Sequence, residues 1–330
     1  MHSSRLLAFV AGGVLLAGSA VAQTVGMATT QQGSYTNSAG SAIAKVVSEK
    51  TDLRMRVQPF AGSSVYVPEL NAGEIEFGLA NVFETYLAST GGELYKGRKH
   101  PDLRIVSVLV PFRATTYVRA DSDIKTLADL KGKRAPSGWT SQAILGPVFG
   151  GHLANGGLSY DDIEKVPVAN VIQAANDFAA GKTDVFIFAM GAGKVREVAA
   201  KVKIRVLPID TSEEAVNRMR SVVPVSYVAN ITDAQAKIDP GFSHGVPIMG
   251  YAYLVLAGKA TPADMVYKVA KAMSSSRDEM KASFRPLAGF SPKAMAQDFS
   301  KLGLAYHEGA MKFYEEANAW PPKIDGLGAK

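Results

Sequence analysis

Ala72-Gly73-Glu74-Ile75-Glu76-Phe77-Gly78-Leu79-Ala80 and, about a hundred residues later, Ala180-Gly181-Lys182-Thr183-Asp184-Val185-Phe186-Ile187-Phe188-Ala189 share one pattern. In each, Ala-Gly stops a helix, an acid stands three positions after the glycine, and an apolar strand follows. Helix, glycine and strand in this order are ordinary αβ-loop chemistry, so one copy alone says little; the pair points to two lobes of like construction. Upstream of the first copy, 25–28 reads as a strand and 29–33 as a polar turn. Ala39, Ala42, Ile43, Val46 and Val47 then fall at the spacing of a helix lying on a sheet. Leu53, Met55 and Val57 alternate as a strand, Ala61-Gly62-Ser63-Ser64 reads as a turn, and a helix over 65–71 leads to a strand over 75–80. This alternation predicts βαβ units and a mostly parallel sheet.

Around the second copy, Ala135-Pro136-Ser137-Gly138 reads as a turn, Thr140 as the cap of a helix reaching about Asn155, and 170–180 as a further helix. Between the two copies, 103–109 and 115–119 are extended segments split by Pro111-Phe112-Arg113, and 248–256 is a second long apolar strand. These two strands would enter and leave an inserted lobe. The expected fold class is therefore α/β with two lobes joined by two hinge strands, lobe I spanning 23–115 plus 247–330 and lobe II spanning 116–246. Beyond 261 the chain is helical, and its stripes of Met265, Val266, Val269, Ala270 and Met273, and of Met311, Tyr314 and Ala317, read as core.

At the N-terminus, one positive charge precedes the apolar run 6–17, and Ala20-Val21-Ala22 fits a small-x-small cleavage site. Residues 1–22 are thus expected to be a cleaved signal peptide that sends the chain to the periplasm; the run is short of the ~20 residues needed to span a bilayer. The 330 residues contain no cysteine, which excludes disulfides, thiolate catalysis and Cys-ligated clusters. The +6 charge is spread without a basic block, so no nucleic-acid partner is expected, and a monomer is.

Enzyme signatures are missing. There is no Gly-x-Ser-x-Gly elbow and no His-Glu-x-x-His. Gly191-Ala192-Gly193-Lys194 is like the end of a P-loop, but Val195 stands where a Ser or Thr would hold magnesium. His100, His152, His244 and His307 lack metal-ligand spacing, so no metal and no cofactor are implied. What the chain has instead is polar, glycine-containing turns ahead of helices: 29–35, 61–64 and 138–141. Helix N-termini carry unpaired N–H groups and partial positive charge, so two or three facing one cleft would bind an organic acid; each turn read alone fits a simple cap equally well.

These turns belong to an ordered set of motifs: Gly33-Ser34-Tyr35, Ala61-Gly62-Ser63, Leu70-Asn71-Ala72-Gly73-Glu74-Ile75-Glu76, Asp129-Leu130-Lys131-Gly132-Lys133 and Gly157-Leu158-Ser159-Tyr160-Asp161-Asp162-Ile163. Ala263-Asp264-Met265-Val266-Tyr267 and Tyr306-His307-Glu308-Gly309-Ala310 complete it. Over essentially its whole mature length the chain resembles the TAXI-type solute receptors of TRAP transporters. The resemblance implies a type II periplasmic binding protein that closes on a small solute, carboxylated in this family's pattern of glutamate-like and other organic acids, and delivers it to a membrane permease. It places Thr30, Ser34, Tyr35, Gly62, Ser63 and Asn81 in the pocket from one lobe. From the other it places Gly138, Trp139, Thr140 and Ser141, with Met190 and Gly191. Three departures from the family pattern, Gln31-Gln32, Val82-Phe83 and Trp139, suggest added bulk and a ligand with an apolar or aromatic body. Arg113 is a candidate carboxylate partner, although a surface arginine near the hinge is the plainer reading. A ligand-sensing module for a membrane kinase and a periplasmic enzyme on the same fold are the competing functions.

Overall fold

A computed structural model describes residues 23–237 and 241–327; the expected signal peptide lies outside the described residues. The chain opens with β1 (Gln23–Thr30), α1 (Tyr35–Lys50), β2 (Leu53–Phe60), α2 (Ser63–Ala72), β3 (Phe77–Asn81) and α3 (Val82–Thr90). Side-chain caps start two of these helices. The Ser34 hydroxyl accepts from the Asn37 amide ahead of α1, and the Asn81 side chain accepts from the Glu84 amide ahead of α3. α2 ends at Gly73, whose φ of 77° lets its N–H turn back onto the Glu69 and Leu70 carbonyls. The apolar stripe of α1 is buried as its spacing predicts. β1 pairs in parallel with β2 and β3, so Thr30, Phe60 and Asn81, the last residues of the three strands, end on the same edge.

β4 (Leu103–Arg119) is one unbroken strand of 17 residues, not two segments split at Pro111. Proline is tolerated because at that position β4 is paired on one edge only, with β10, and Pro111 is exposed. After it come β5 (Arg134–Gly138), α4 (Leu145–Asn155), β6 (Glu164–Val168), α5 (Val171–Ala179), β7 (Val185–Ala189), α6 (Gly193–Lys201) and β8 (Ile204–Leu207). Then follow α7 (Glu213–Val222), β9 (Tyr227–Asn230), the short α8 (Asp233–Ala236) and β10 (Pro247–Gly258), and α9 (Ala263–Ser275), α10 (Arg277–Ser283) and α11 (Glu308–Glu316) close the fold.

β10 runs antiparallel to β4 from Met249↔Ala114 to Gly258↔Leu103, with two register shifts that leave Leu109 and Val106 as extra residues on β4. Each of the two strands also takes other partners along its length. β4 takes β7 on one side and β8 on the other, β10 takes β9, and in the opposite direction β10 takes β3. The sheet order is β2-β1-β3-β10-β4-β7. The result is a two-lobed α/β molecule with a sheet that is mixed and not mostly parallel: the strands bordering the crossing pair are antiparallel to it, and parallel pairing is kept within β1–β3 and in β5–β6.

Two local readings are corrected. Residues 134–138 form a strand, because β6 supplies a parallel partner from Arg134↔Glu164 to Gly138↔Val168. The helix expected from Thr140 begins only at Leu145: the Thr140 and Ser141 amides donate to the carbonyls of Val168 and Ala169, which holds the segment irregular. Of the histidines, His100, His152 and His307 are buried, and His244 is exposed beside Asp233. Among the described residues no helix is long and apolar enough to cross a membrane.

Leu254 is fully buried where β10 lies between β3 and β4. Leu254→Ala should therefore destabilise the protein by about 2–5 kcal/mol in denaturant titration, whereas Val65→Ala on the exposed face of α2 should change stability by less than about 0.5 kcal/mol.

Candidate functional site

The ends of β1, β3 and β7 and the middle of the β4–β10 pair surround a cavity of about 50 Å³ between the lobes. One wall is polar. Thr30 donates to the Ser34 hydroxyl at 2.8 Å, and Thr36 lies within hydrogen-bond reach of both, so the β1–α1 turn presents three buried hydroxyls. Ser63 at the start of α2 and Asn81 at the end of β3 complete this wall. The first amides of α1 and α2 have no intrahelical acceptor, which leaves partial positive charge on the same side.

The opposite wall comes from Gln142, Ile144 and Leu145, from Val171 at the start of α5, and from Ile187, Phe188 and Ala189 at the end of β7. Between the walls lies an aromatic group on the crossing strands. Phe112 packs on Tyr253 with ring centroids 4.5 Å apart and on Tyr251 at 5.5 Å, and Tyr35 stands edge-on to Phe112 at 5.1 Å. Burial pushes the Tyr35, Tyr251 and Tyr253 hydroxyls well above their ordinary pKa, so all three stay neutral.

Two amides fix the polarity of the site. Asn81 spends its Oδ1 on the Glu84 N–H, and Gln142 spends its Oε1 on the Val171 N–H at 3.2 Å. Only the carbonyl oxygen of an amide can accept from a backbone N–H, so in both residues the NH₂ donor is what remains for a ligand. One donor comes from each side of the cavity. Lys and Arg are absent from the lining, so the chemistry offered is hydrogen-bond donation to an acceptor, framed by aromatic and aliphatic surface.

The loops of the two lobes touch around this cavity. The Lys194 N–H donates to the Gly33 carbonyl at 3.1 Å, and the Asn170 amide donates to the Ala61 carbonyl at 3.3 Å. The closest approach is at Gly62, where a Cβ would come within 1.9 Å of the Ser141 carbonyl oxygen. Gly62 has extended backbone (φ −171°), so glycine is required here by space and not by conformation.

Of the residues expected from sequence, Thr30, Ser34, Tyr35, Ser63 and Asn81 meet at the cavity, and Gly62 meets Ser141 at its rim. Gly138, Thr140 and Ser141 do not line it, and the Thr140 and Ser141 amides are already committed to Val168 and Ala169, so no anion-binding helix end forms there. Trp139 is 1% exposed; its Nε1 donates to the Tyr160 hydroxyl and its ring packs edge-on near Phe149. Trp139 adds no bulk to the pocket, nor do Val82, Phe83 and Gln31-Gln32 line it; Phe112, Phe188, Tyr251 and Tyr253 supply the apolar surface instead. Met190 and Arg113 line a neighbouring compartment of about 400 Å³, walled off by Tyr35 and Phe112, together with Lys281 and Arg285. Arg113 is half-buried, with Nη1 donating to the Pro111 carbonyl. Gly191 opens the turn into α6 with φ 87° and lies outside both linings.

The sequence reading missed Thr36, Gln142 and the alternating pair Tyr251 and Tyr253. The last had a signal, since residues two apart on a strand share a face. Among the described residues no group of three or more His, Asp or Glu side chains is placed to hold a metal. Trp139→Phe should lose about 1 kcal/mol of stability with the Tyr160 hydrogen bond, and leave relative solute affinities in a binding panel unchanged.

The same two-lobed fold occurs in solved structures that are far in sequence. A protein described as a periplasmic transporter superposes with a TM-score of 0.59 at 15% identity, covering 92% of this chain and 98% of that one. MatC from Rhodopseudomonas palustris with bound malate gives 0.57 at 13% identity, covering 90% and 97%. The alkanesulfonate-binding protein SsuA from Xanthomonas axonopodis pv. citri bound to MOPS gives 0.50 at 15% identity, covering 92% and 96%. The family model described as NMT1-like matches residues 27–317, most of the chain, and the chain belongs to the NMT1-like family.

Proposed function

We propose that this protein is an exported, periplasmic solute-binding protein that closes on a small carboxylate with an apolar or aromatic body. The observation that carries the reading is the pair of free amide donors, Asn81 and Gln142, facing one cavity from opposite sides over an aromatic group. Two amide donors, beside hydroxyls that can also donate, suit an anion, and the absence of Lys and Arg from the lining suits capture by hydrogen bonds and helix-end amides. The malate held by MatC and the MOPS held by SsuA on the same fold support an acidic solute. In this reading the lobes are 23–115 plus 247–330 and 116–246, rotating about the β4 and β10 strands, with residues 1–22 removed on export. In the same reading the protein acts as a receptor and not as an enzyme, and hands the solute, as a monomer, to a TRAP-type membrane permease.

Thermal shifts at pH 7 test the ligand class with acetate, 3-methylbutanoate, benzoate and L-glutamate, and with the neutral amides of the second and third. The branched and aromatic acids should raise Tm most and the amides not at all; equal shifts from acids and amides, or none from any acid, would overturn the reading. Asn81→Ala and Gln142→Ala should each weaken the best acid by about ten- to a hundredfold, the cost of a hydrogen bond to a charged group. Gly62→Ala should weaken it as well while leaving the Tm of the free protein unchanged, because the added Cβ obstructs only the approach of Ser141.

A further inference from the structure

Glu84 lies immediately behind the polar wall of the cavity. It is fully buried in the first turn of α3, and Asn81, the residue that caps that helix, lines the cavity. Its Oε1 accepts from the Ser64 hydroxyl at 2.8 Å and from the Tyr95 hydroxyl at 3.4 Å, and its Oε2 is buried with no partner. The groups around it come from every packed element and none is a cation: Ser63, Ser64 and Tyr66 on α2, Tyr95 after α3, and Tyr251 and Tyr253 on β10. Tyr66 is already committed, donating to the Leu79 carbonyl. His100 stands one ring further out, edge-on to Tyr95 at 5.1 Å. Ser63, Asn81, Tyr251 and Tyr253 each face the cavity on one side and the Glu84 neighbourhood on the other.

An unpaired carboxylate in such a place is costly, and a second negative charge across Ser63 makes it costlier. Burial pushes the Glu84 carboxyl up to about 7, against the opposing pull of the Ser63, Ser64 and Tyr95 hydroxyls. We propose that Glu84 is a proton-linked positioning residue of the cavity: a carboxylate held against Ser63 and Asn81 keeps the Glu84 carboxyl protonated on Oε2, so that capture of the anion takes up one proton from solvent. The inference rests on the carboxylate reading above. Its sign is fixed. Below the pKa of the empty site Glu84 is already protonated and binding is independent of pH; above it, affinity falls as pH rises, by at most tenfold per unit.

The test is calorimetry with the tightest acid of the thermal-shift series, from pH 6 to 8.5, in two buffers of different ionisation heat. The carboxyl of each acid named is fully ionised throughout. The wild-type protein should take up a proton above pH 7, reaching half a proton or more per site, and Kd should rise about five- to thirtyfold across the range. Glu84→Gln should bind with no proton uptake above pH 7 and a flat Kd. A pH-independent wild-type Kd with no proton uptake, or uptake that persists in Glu84→Gln, would overturn the linkage while leaving the carboxylate reading intact. No binding of any acid at pH 6 would instead remove both. The wild-type buffer comparison keeps the linkage falsifiable even where the variant folds poorly, since no proton uptake there refutes it.

Discussion

The structure depends on the antiparallel pairing of β4 with β10. Among the described residues both strands are longer than any other, and each changes neighbours along its length, β4 to β7 and β8, β10 to β3 and β9. One ladder thus belongs to both lobes. The lobes need no separate interface, because the hydrophobic faces of two halves are joined through shared strands, and any rotation between them must bend or twist this pair. The two extra residues on β4, at Leu109 and Val106, locally interrupt the ladder there, and such bulges increase strand twist. Phe112, Tyr251 and Tyr253 sit on the same pair, so the aromatic part of the cavity is also the part nearest the crossing.

From this constraint the rest of the site follows in steps. Parallel strands β1 and β3 bring Thr30 and Asn81 to one edge, and the helices that follow present their capping side chains and first amides to the cleft. β7 brings Phe188 and Ala189 from the other side. Gln142 reaches the cavity only because the 139–142 segment is tied to the β6–α5 loop by backbone hydrogen bonds. Helix-end chemistry, apolar surface and two oriented amides are then concentrated in one small space. Gly62 permits the close approach of the two loops at the rim, since the Ser141 backbone occupies the place a side chain would need.

Much of lobe I was legible because its signals are local. The α1 stripe, the Gly73 stop and the end of β3 all follow from periodicity and turn chemistry within ten residues. The misread elements are those decided by distant partners. Pro136-Ser137-Gly138 looks like a turn until β6, thirty residues on, offers a parallel ladder, and Thr140 looks like a cap until the Val168 carbonyl takes its amide. Trp139 illustrates the same point for the site: bulk in a pocket loop is informative only if the side chain faces the ligand, and here Tyr160 and Phe149 hold it within the lobe. Glu84 was invisible for a related reason. A glutamate in the first turn of a helix is ordinary on a surface, and only the packing of α2, β10 and Tyr95 around it makes it a buried acid.

The central claim is that the two lobes close on the solute by motion about β4 and β10. The chain has no native cysteine, so paired spin labels can be placed without background. Val65→Cys on α2 and Asn176→Cys on α5 lie at exposed positions of the two lobes. Pulsed electron–electron distance measurement on this doubly labelled protein should give a broad, longer distribution without solute and a narrower, shorter one with a saturating carboxylate. Identical distributions in the two conditions would contradict closure.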